Sequence, residues 1–447
     1  KCGNGYCSSV CCMYAIKDAM IAKEHAERDL DCAIFNMDIR TFGKDYEQYY
    51  LRAKEREGVR FERSRVHSVI PAPENDDLIL RYFDDDGTMH DEVFSMVVMS
   101  VGLQIPASSE DLAQRLGVEL TADRFVDSDP FAPVLTSRKG VYAFGVVQGP
   151  KDIPESVTQA SAAAGVAGAV LSAARGADAK EEHIPEERDV TQEEIRVGVF
   201  VCNCGINIGG VVDVPAVTEF SRSLPGVVLA DENLFTCSQD SQDKMKEVIQ
   251  ENQLNRVVVA SCSPKTHQAI FMDTLVAVGL NKYLFEMANI RNQDSWVHAN
   301  DPEAATRKAK ELISMAVGRV STLQPLSERV ISVNPRALIL GGGVAGMNAA
   351  LTVAEQGFPV TLVEKQALLG GMALKLHHTI EGGDIPAYVA KLAEQVKSTP
   401  EIEVLTNASV SGFAGYKGNF STEVTVMPDE KRKQINHGVI IVATGAN

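Results

Sequence analysis

A run of glycines, Gly341-Gly342-Gly343-Val344-Ala345-Gly346, stands between the apolar segment Ala337 to Leu340 and the helix-like segment Met347 to Glu355. A strand, then G-x-G-x-x-G, then a helix leaves a chain few choices of fold. The first glycine permits the tight turn, the second lets a pyrophosphate approach the backbone, and the third lets helix and strand pack closely. Free N–H groups and the dipole at the helix N-terminus then favour the anion. A second strand, Pro359 to Val363, ends at Glu364, eighteen residues after Gly346, where an acidic side chain can accept hydrogen bonds from an adenosine ribose. The spacing predicts a dinucleotide site on Gly341, Gly343, Val344, Ala345, Gly346 and Glu364, with Lys365 beside it. The alternative is a glycine-rich turn with no ligand.

Leu369-Gly370-Gly371-Met372 resembles the second glycine pair of the glutathione-reductase-like flavoproteins, and Val439 to Gly445 resembles their later strand ending in Ala443-Thr444-Gly445. The resemblance favours FAD over NAD and adds Gly371, Met372, Ala443, Thr444 and Gly445 to the expected site.

Eight of the nine cysteines form two groups of four: Cys2, Cys7, Cys11 and Cys12 at the N-terminus, and Cys202, Cys204, Cys237 and Cys262 in the middle. Four thiolates can hold zinc or an iron-sulfur cluster. Structural zinc usually shows two close knuckles, whereas here only Cys202 and Cys204 are close. Cys262-Ser263-Pro264 echoes the Cys-Pro habit of ferredoxin ligands with one residue inserted. Iron-sulfur, zinc and unligated buried thiols all remain open on these residues alone. In the first group the bland alternative is a cysteine-rich helix start packed on a sheet, and Cys32 reads as a core thiol in a strand.

At 447 residues and 45% apolar content the chain can bury several cores. A formal net charge of −17 argues against nucleic acid as the main partner. No apolar run reaches the roughly 18 residues of a membrane span, and Ala160 to Leu171 reads as a packed helix. Without an initiator Met or a signal peptide, and ending just past a strand, the sequence reads as a piece of a longer polypeptide.

Three blocks follow. Residues 1–177 hold a helix from Cys11 to His25, strands at Asp31 to Ile39 and Val59 to Phe61, a hairpin of Ile79 to Phe83 with Glu92 to Val98 across Asp86-Gly87, and a buried strand at Val97 to Val101. They close with a strand into a tight turn at Gly140 to Gly145 and a long helix from Pro154, started by Asp152. Residues 178–195 read as a charged linker. Residues 196–320 alternate strand Val197 to Val201, a helix near Val214 to Ser223, strand Val227 to Leu229, helix Ser241 to Glu251 and strand Val257 to Ala260. That is a small α/β domain whose cysteines lie at carboxyl strand ends, where parallel sheets bind ligands. Residues 335–447 form the nucleotide-binding block.

Tyr6 to Lys17 (Tyr-Cys-Ser-Ser-Val-Cys-Cys-Met-Tyr-Ala-Ile-Lys), Gln148 to Pro154 (Gln-Gly-Pro-Lys-Asp-Ile-Pro), and the stretch from Val199-Phe200-Val201-Cys202-Asn203-Cys204-Gly205 to Ser295-Trp296-Val297-His298 resemble the flavin and iron-sulfur subunit family of heterodisulfide reductase. Gly341 to Ala350 fits the same family. The resemblance implies glutathione/thioredoxin-reductase-like folds in split halves plus a small iron-sulfur domain. It makes residues 1–177 the C-terminal half of one FAD/NAD(P)-type module and 335–447 the N-terminal half of a second, as in a tandem fusion. The two halves are then expected to pair within or between chains.

The resemblance assigns Cys202, Cys204, Cys237 and Cys262 to a 4Fe-4S cluster. It gives Cys7, Cys11 and Cys12 as three ligands of a second cluster whose fourth lies upstream of Cys7, with Cys2 an uncertain substitute. Gly145, Gly149, Lys151, Asp152 and Ile153 fall beside the flavin, where a helix N-terminus stabilises reduced flavin. Against that, Lys151 reads equally as a solvent-facing lysine and Asp152 as a plain cap. His377 and His378 read as loop residues. Asp294 stands where relatives often carry Cys, and the C-x2-C-x2-C-x3-C-P ferredoxin motifs are absent.

The implied function is an oxidoreductase subunit of a cytoplasmic heterodisulfide-reductase-like complex, passing electrons between FAD and 4Fe-4S clusters, with flavin-based bifurcation as its fuller form. The implied partners are the other subunits of such a complex, ferredoxin or a hydrogenase- or dehydrogenase-type electron-input subunit, and a second copy of the chain as a homodimer. Two alternatives stand beside it: a non-catalytic docking module with a structural metal cluster, and a pyridine-nucleotide disulfide oxidoreductase. The second lacks the C-x4-C expected after the glycine loop. Left open are the physiological donor and acceptor, retention of FAD and of the N-terminal cluster, oligomeric state and full-length architecture.

Overall fold

A computed structural model describes residues 4–179 and 184–446. The protein is mixed α/β and divides into two compact units, Lys1–Ala177 with Ser332–Asn447, and Asp178–Ile331.

The first unit opens with helix α1 (Cys11–His25), strand β1 (Ala33–Asn36), helix α2 (Tyr46–Glu55) and strand β2 (Arg60–Arg63), which pairs in parallel with β1. Three antiparallel strands follow, β3 (Arg65–Pro71), β4 (Leu78–Phe83) and β5 (Met89–Phe94), then helices α3 (Ala107–Leu116) and α4 (Ile153–Leu171). Ile16, Met20, Ala53 and Val59 form a small core between α1, α2 and the β1–β2 pair, and half-buried Cys32 packs against it.

The second unit is a parallel sheet of order β7-β6-β8-β9, with β6 (Val197–Cys202), β7 (Val227–Asn233), β8 (Arg256–Ser261) and β9 (Phe285–Asn289). Between and after the strands run α5 (Val214–Arg222), α6 (Gln239–Glu251), α7 (Pro264–Val276) and α8 (Pro302–Thr322). Every residue of β6 and β8 is buried. Val197, Val199 and Val201 share one core with α5 and α8, while Phe200, Val257 and Val259 share another with α6 and α7. Strands covered on both faces must be apolar throughout, which is why these runs lack alternation. Of the tract read as a linker, residues 184–195 lie on this unit: Val190 is buried in the second core, and Arg188 donates to the Leu254 carbonyl at 3.0 Å.

The first unit resumes with β10 (Ala337–Leu340), α9 (Val344–Glu355), β11 (Val360–Val363), α10 (Ile385–Ser398) and β12 (Ile402–Leu405). A three-stranded antiparallel sheet, β13 (Ala408–Tyr416), β14 (Asn419–Val426) and β15 (Lys431–His437), precedes β16 (Val439–Val442). The parallel sheet has the order β12-β11-β10-β16. Helix, strand, helix, strand and antiparallel triplet thus occur twice in this unit, over 11–94 and again over 344–437.

The repeat explains a corrected expectation. Val97 to Val101 is neither a strand nor buried: Val98 is 75% exposed and Val101 66%. Its counterpart β16 is a strand because β10 lies beside it, Leu338 opposite Ile440. Among the described residues β1 pairs only with β2, so no strand equivalent to β10 offers residues 97–101 a backbone partner. Gly140 to Gly145 likewise forms only an isolated bridge, Leu135 with Tyr142, before a 3₁₀ turn. The helix expected to be packed at Ala160 to Leu171 is α4, of whose residues only Ala163 is buried. With its following turn, Ile153–Ala174 is long and apolar enough to cross a membrane by length and composition, contrary to the reading of the runs alone.

Candidate functional site

The glycine loop is built by close approaches that only glycine allows. Gly341 has φ +107°, and a Cβ there would stand 2.3 Å from the Ala443 carbonyl oxygen. A Cβ on Gly346 would lie 1.9 Å from the Gly341 carbonyl oxygen, so the first turn of α9 is pressed onto the loop. At Gly343 nothing lies within 4 Å of that position, leaving an open approach to the N-terminus of α9, where no side chain caps Val344 and Ala345. Ala443 N–H donates to the Leu340 carbonyl at 2.7 Å, which lays Thr444 and Gly445 across the same edge. Gly370 N–H donates to the Gly342 carbonyl at 2.7 Å, and Gly371, at φ +56°, sits against Gly343. Met372 is about half exposed and Lys365 is exposed.

Glu364 does something its position alone did not reveal. It is 6% exposed, and its carboxylate accepts from Gly342 N–H at 2.6 Å and Gln366 N–H at 2.8 Å. The acid is spent on holding the glycine turn, and a ribose would share it with that bond.

Residues 145–159 converge on α9 through α4. Gly165 lies against Thr352 and Gly168 against Gln356, so the two helices run in the same direction with their N-termini on one side. Ser172 and Arg175 continue that register onto the carbonyls of Glu355 and Gln356. Asp152 caps α4: it accepts from Glu155 N–H at 2.7 Å while Glu155 accepts from Asp152 N–H at 3.1 Å. Its other oxygen accepts from the Tyr46 hydroxyl at 2.8 Å, tying α2 to the same end. Lys151 is half-buried and donates to Gln159 at 2.6 Å and Gln148 at 3.2 Å, and burial holds its pKa below the usual lysine range. Gln159 also receives Gly145 N–H at 3.0 Å. Gly149 ends the 3₁₀ turn, and Ile153 is exposed.

In the second unit the four cysteines meet at the carboxyl edge of the sheet. Cys202 ends β6, Cys204 follows it with φ +48°, Cys237 precedes α6 and Cys262 follows β8. Cys202 and Cys262 are buried, and Cys204 and Cys237 are half-buried. Burial, then neighbouring Cys202 and Cys262, push the thiols of Cys204 and Cys237 up, while Arg291 opposes both. Among the described residues no three of His, Cys, Asp and Glu stand close enough to hold a single ion. A cubane places its ligands on four different irons and asks for a wider set. Buried donors without partners line the same edge: Asn233 Nδ2, Thr236 Oγ1 beside Cys237 and Ser261 Oγ beside Cys262. Thr236 N–H already donates to Cys202 Sγ at 3.5 Å. Four thiols with surrounding N–H and O–H donors fit the needs of an iron-sulfur cluster, whose sulfurs accept such bonds.

Asp294 lies beyond β9 in a π-helical turn, Arg291–Ser295. It is fully buried with neither oxygen partnered, and burial pushes it up to about 6 against the pull of His298 and Lys308. A carboxyl raised on folding takes up a proton between roughly pH 4 and pH 6, so this contribution to stability is lost as pH rises through that window. Asp294→Asn is therefore expected to raise the urea midpoint at pH 8, by an amount on the order of 2 kcal/mol, and to change it little at pH 4.5. A variant less stable than the parent at pH 8 would show that the charge is compensated.

Cys7, Cys11 and Cys12 gather at the start of α1. A hydrogen bond from the Cys12 thiol draws Cys11 down to about 5, and the same contact with burial pushes Cys12 up. Cys7 is exposed, and Cys2 lies outside the described residues.

Residues 335–447 match the Pyridine nucleotide-disulphide oxidoreductase family. The segment contains no cysteine, so it carries no redox disulfide of its own. The chain is 43% identical over 244 residues to the A subunit of the H(2):CoB-CoM heterodisulfide,ferredoxin reductase of Methanothermobacter thermautotrophicus, covering 54% of this chain and 37% of that protein. It is 43% identical over 236 residues to the heterodisulfide reductase A-subunit-like protein of Archaeoglobus profundus, covering 53% and 34%. The chain thus spans about a third of the length of these curated relatives. A likeness to the solved L-proline dehydrogenase from P.horikoshii, at 26% identity over 28% of this chain and 25% of that one with a TM-score of 0.23, is too slight to carry an argument. Over the matched half of its length, this chain is a homologue of the A subunit of heterodisulfide reductase.

Proposed function

We propose that the chain is an electron-transferring oxidoreductase subunit, holding FAD on its first unit and a 4Fe-4S cluster on its second, in a complex of the heterodisulfide-reductase type. The observation that carries this reading is the parallel packing of α4 on α9, set by Gly165 against Thr352 and Gly168 against Gln356. Two positive helix ends then serve one ligand: that of α9 beside the open Gly343 for the pyrophosphate, that of α4 for the far, flavin end. A turn that merely happens to be rich in glycine has no need of the second helix.

Bound FAD supplies exchange of one or two electrons, and a cluster supplies exchange of one at a time. Gly341, Gly343, Val344, Ala345 and Gly346 would take the pyrophosphate, and Glu364 would hold the turn while reaching the ribose. Gly371, Met372, Ala443, Thr444 and Gly445 would border the cofactor. Gly145, Gly149, Lys151, Asp152 and Ile153 would face the flavin, with Lys151 kept in place by Gln148 and Gln159. Cys202, Cys204, Cys237 and Cys262 would hold the cluster, and Cys7, Cys11 and Cys12 would be three ligands of a second. The relatives' names point to ferredoxin and to other subunits of such a complex as partners, and to bifurcation between two acceptors as the finer activity. Free thiols throughout suit a cytoplasmic setting.

Purification under anaerobic conditions tests this directly. The expected protein is coloured, releases FAD on denaturation and contains acid-labile sulfide with iron. A folded, colourless and iron-free protein would favour a docking module instead.

A further inference from the structure

We propose that Arg291 is a positioning residue of the four-cysteine site, holding its charge against Cys204 so that the reduced cluster is stabilised and its potential is raised. The proposal rests on the cluster reading above. Three contacts fix the guanidinium: it lies 4.9 Å over the Trp296 ring, its Nε donates to Asn292 Oδ1 at 3.3 Å, and it donates to the Cys204 sulfur. All three partners are neutral side chains, so the positive charge is not cancelled where it meets the thiol. Asp294, on the same turn, answers to His298 and Lys308 instead.

The π-helical turn that presents Arg291 is itself tied to the cysteine loop. Ser295 Oγ donates to the Asn207 carbonyl at 2.5 Å, and Asn207 closes the 3₁₀ turn that follows Cys204. Such turns cost regular helix bonds and recur where a side chain must be aimed. Arg291 also bears on Cys237, so one cation serves two of the four sulfurs. Positive charge and N–H···S bonds favour the more negative redox state of a cluster. An arginine keeps that charge at every physiological pH.

Trp296 is the sole tryptophan of the chain, and quenching of its fluorescence by a bound cluster reports loading separately from any activity. The test is a redox titration of the reconstituted chain followed by electron paramagnetic resonance. With Arg291→Gln, cluster loading and Trp296 quenching are expected to persist. At a fixed ambient potential the reduced-to-oxidised ratio is expected to fall about tenfold, ~59 mV for a one-electron couple. Arg291→Lys, which keeps the charge, is expected to recover most of that loss. A loaded Arg291→Gln protein with the parental potential overturns the proposal and leaves the cluster reading standing. Equal losses in the Gln and Lys variants also overturn it, because shape rather than charge would then matter. Should Arg291→Gln take no iron, Trp296→Leu carries the test by freeing the guanidinium. A lowered potential supports the proposal and an unchanged one overturns it. A parent chain that takes up neither iron nor sulfide removes the cluster reading and the proposal together.

Discussion

Gly346→Ala is expected to abolish FAD retention and to destabilise the first unit, whereas Gly343→Ala, three residues earlier, is expected to weaken binding and leave the fold intact. At Gly346 an added methyl would sit 1.9 Å from the Gly341 carbonyl oxygen, a backbone atom that moves only with the whole turn. Overpacking costs ~1–3 kcal/mol where neighbouring side chains can yield. Here the loop must lift from α9, and Gly341 cannot follow because its own approach to Ala443 is already closed. A loss near ~3 kcal/mol corresponds to about a hundredfold in affinity. At Gly343 the methyl would meet no protein atom within 4 Å, so it would intrude only on a ligand. Flavin content per chain and the thermal midpoint, compared across the two variants, check both halves. Equal flavin content in Gly346→Ala and the parent would mean that the loop does not hold the cofactor.

How much of this was legible in the sequence depends on where the determining contacts lie. The strand, glycine turn and helix around Gly341 follow from local chemistry, since spacing alone fixes which residues must lack a Cβ. The runs at β6 and β8 are continuous because both faces are covered, and their apolar lengths declare that cover. Helix starts were equally plain: Asp152, Asp213, Asp301 and Asp384 each cap a helix with proline in its first turn. What failed were statements that need a partner distant in the chain. Val97 to Val101 has the composition of a buried strand, but a strand exists only beside another, and none lies there among the described residues. Ala160 to Leu171 has the composition of a packed helix, yet only its glycine-bearing face is covered by α9. Glu364 sits where an acid meets a ribose, and nothing local discloses that Gly342 N–H claims the carboxylate. The isolation of Asp294 is likewise set by how a π-helical turn is folded under its neighbours, and periodicity cannot show it. The signal that was present and passed over is Arg291, a lone cation between Asn289-Ile290 and Asn292 at the end of an apolar strand on the cysteine edge.

Cys202→Ser is expected to strip the second unit of its iron and labile sulfide while leaving that unit folded. The residue ends β6 at 4% exposure, so its side chain is held in one place by a strand whose six residues are all buried. Oxygen for sulfur is nearly isosteric, and Thr236 N–H, now donating to the thiol, can donate to a hydroxyl instead. Folding should therefore survive. Cluster binding should not, because a neutral hydroxyl is a poor ligand for iron and each of the other three thiols already has its own place in the set. Changing an outer-shell partner of a metal site costs ~10- to 100-fold in affinity, and loss of a ligand is expected to cost at least as much. Cys32→Ser provides the contrast. Cys32 packs against the small core of α1, α2 and β1, with its thiol directed at the Ala19 carbonyl, and its loss is expected to leave iron unchanged. The first unit's own thiols make the comparison sharper. Cys7→Ser removes an exposed cysteine of the N-terminal group and is expected to spare whatever Cys202→Ser removes. If Cys202→Ser keeps the parental iron and sulfide, the four thiols at the sheet edge are buried side chains and nothing more, however well their geometry converges.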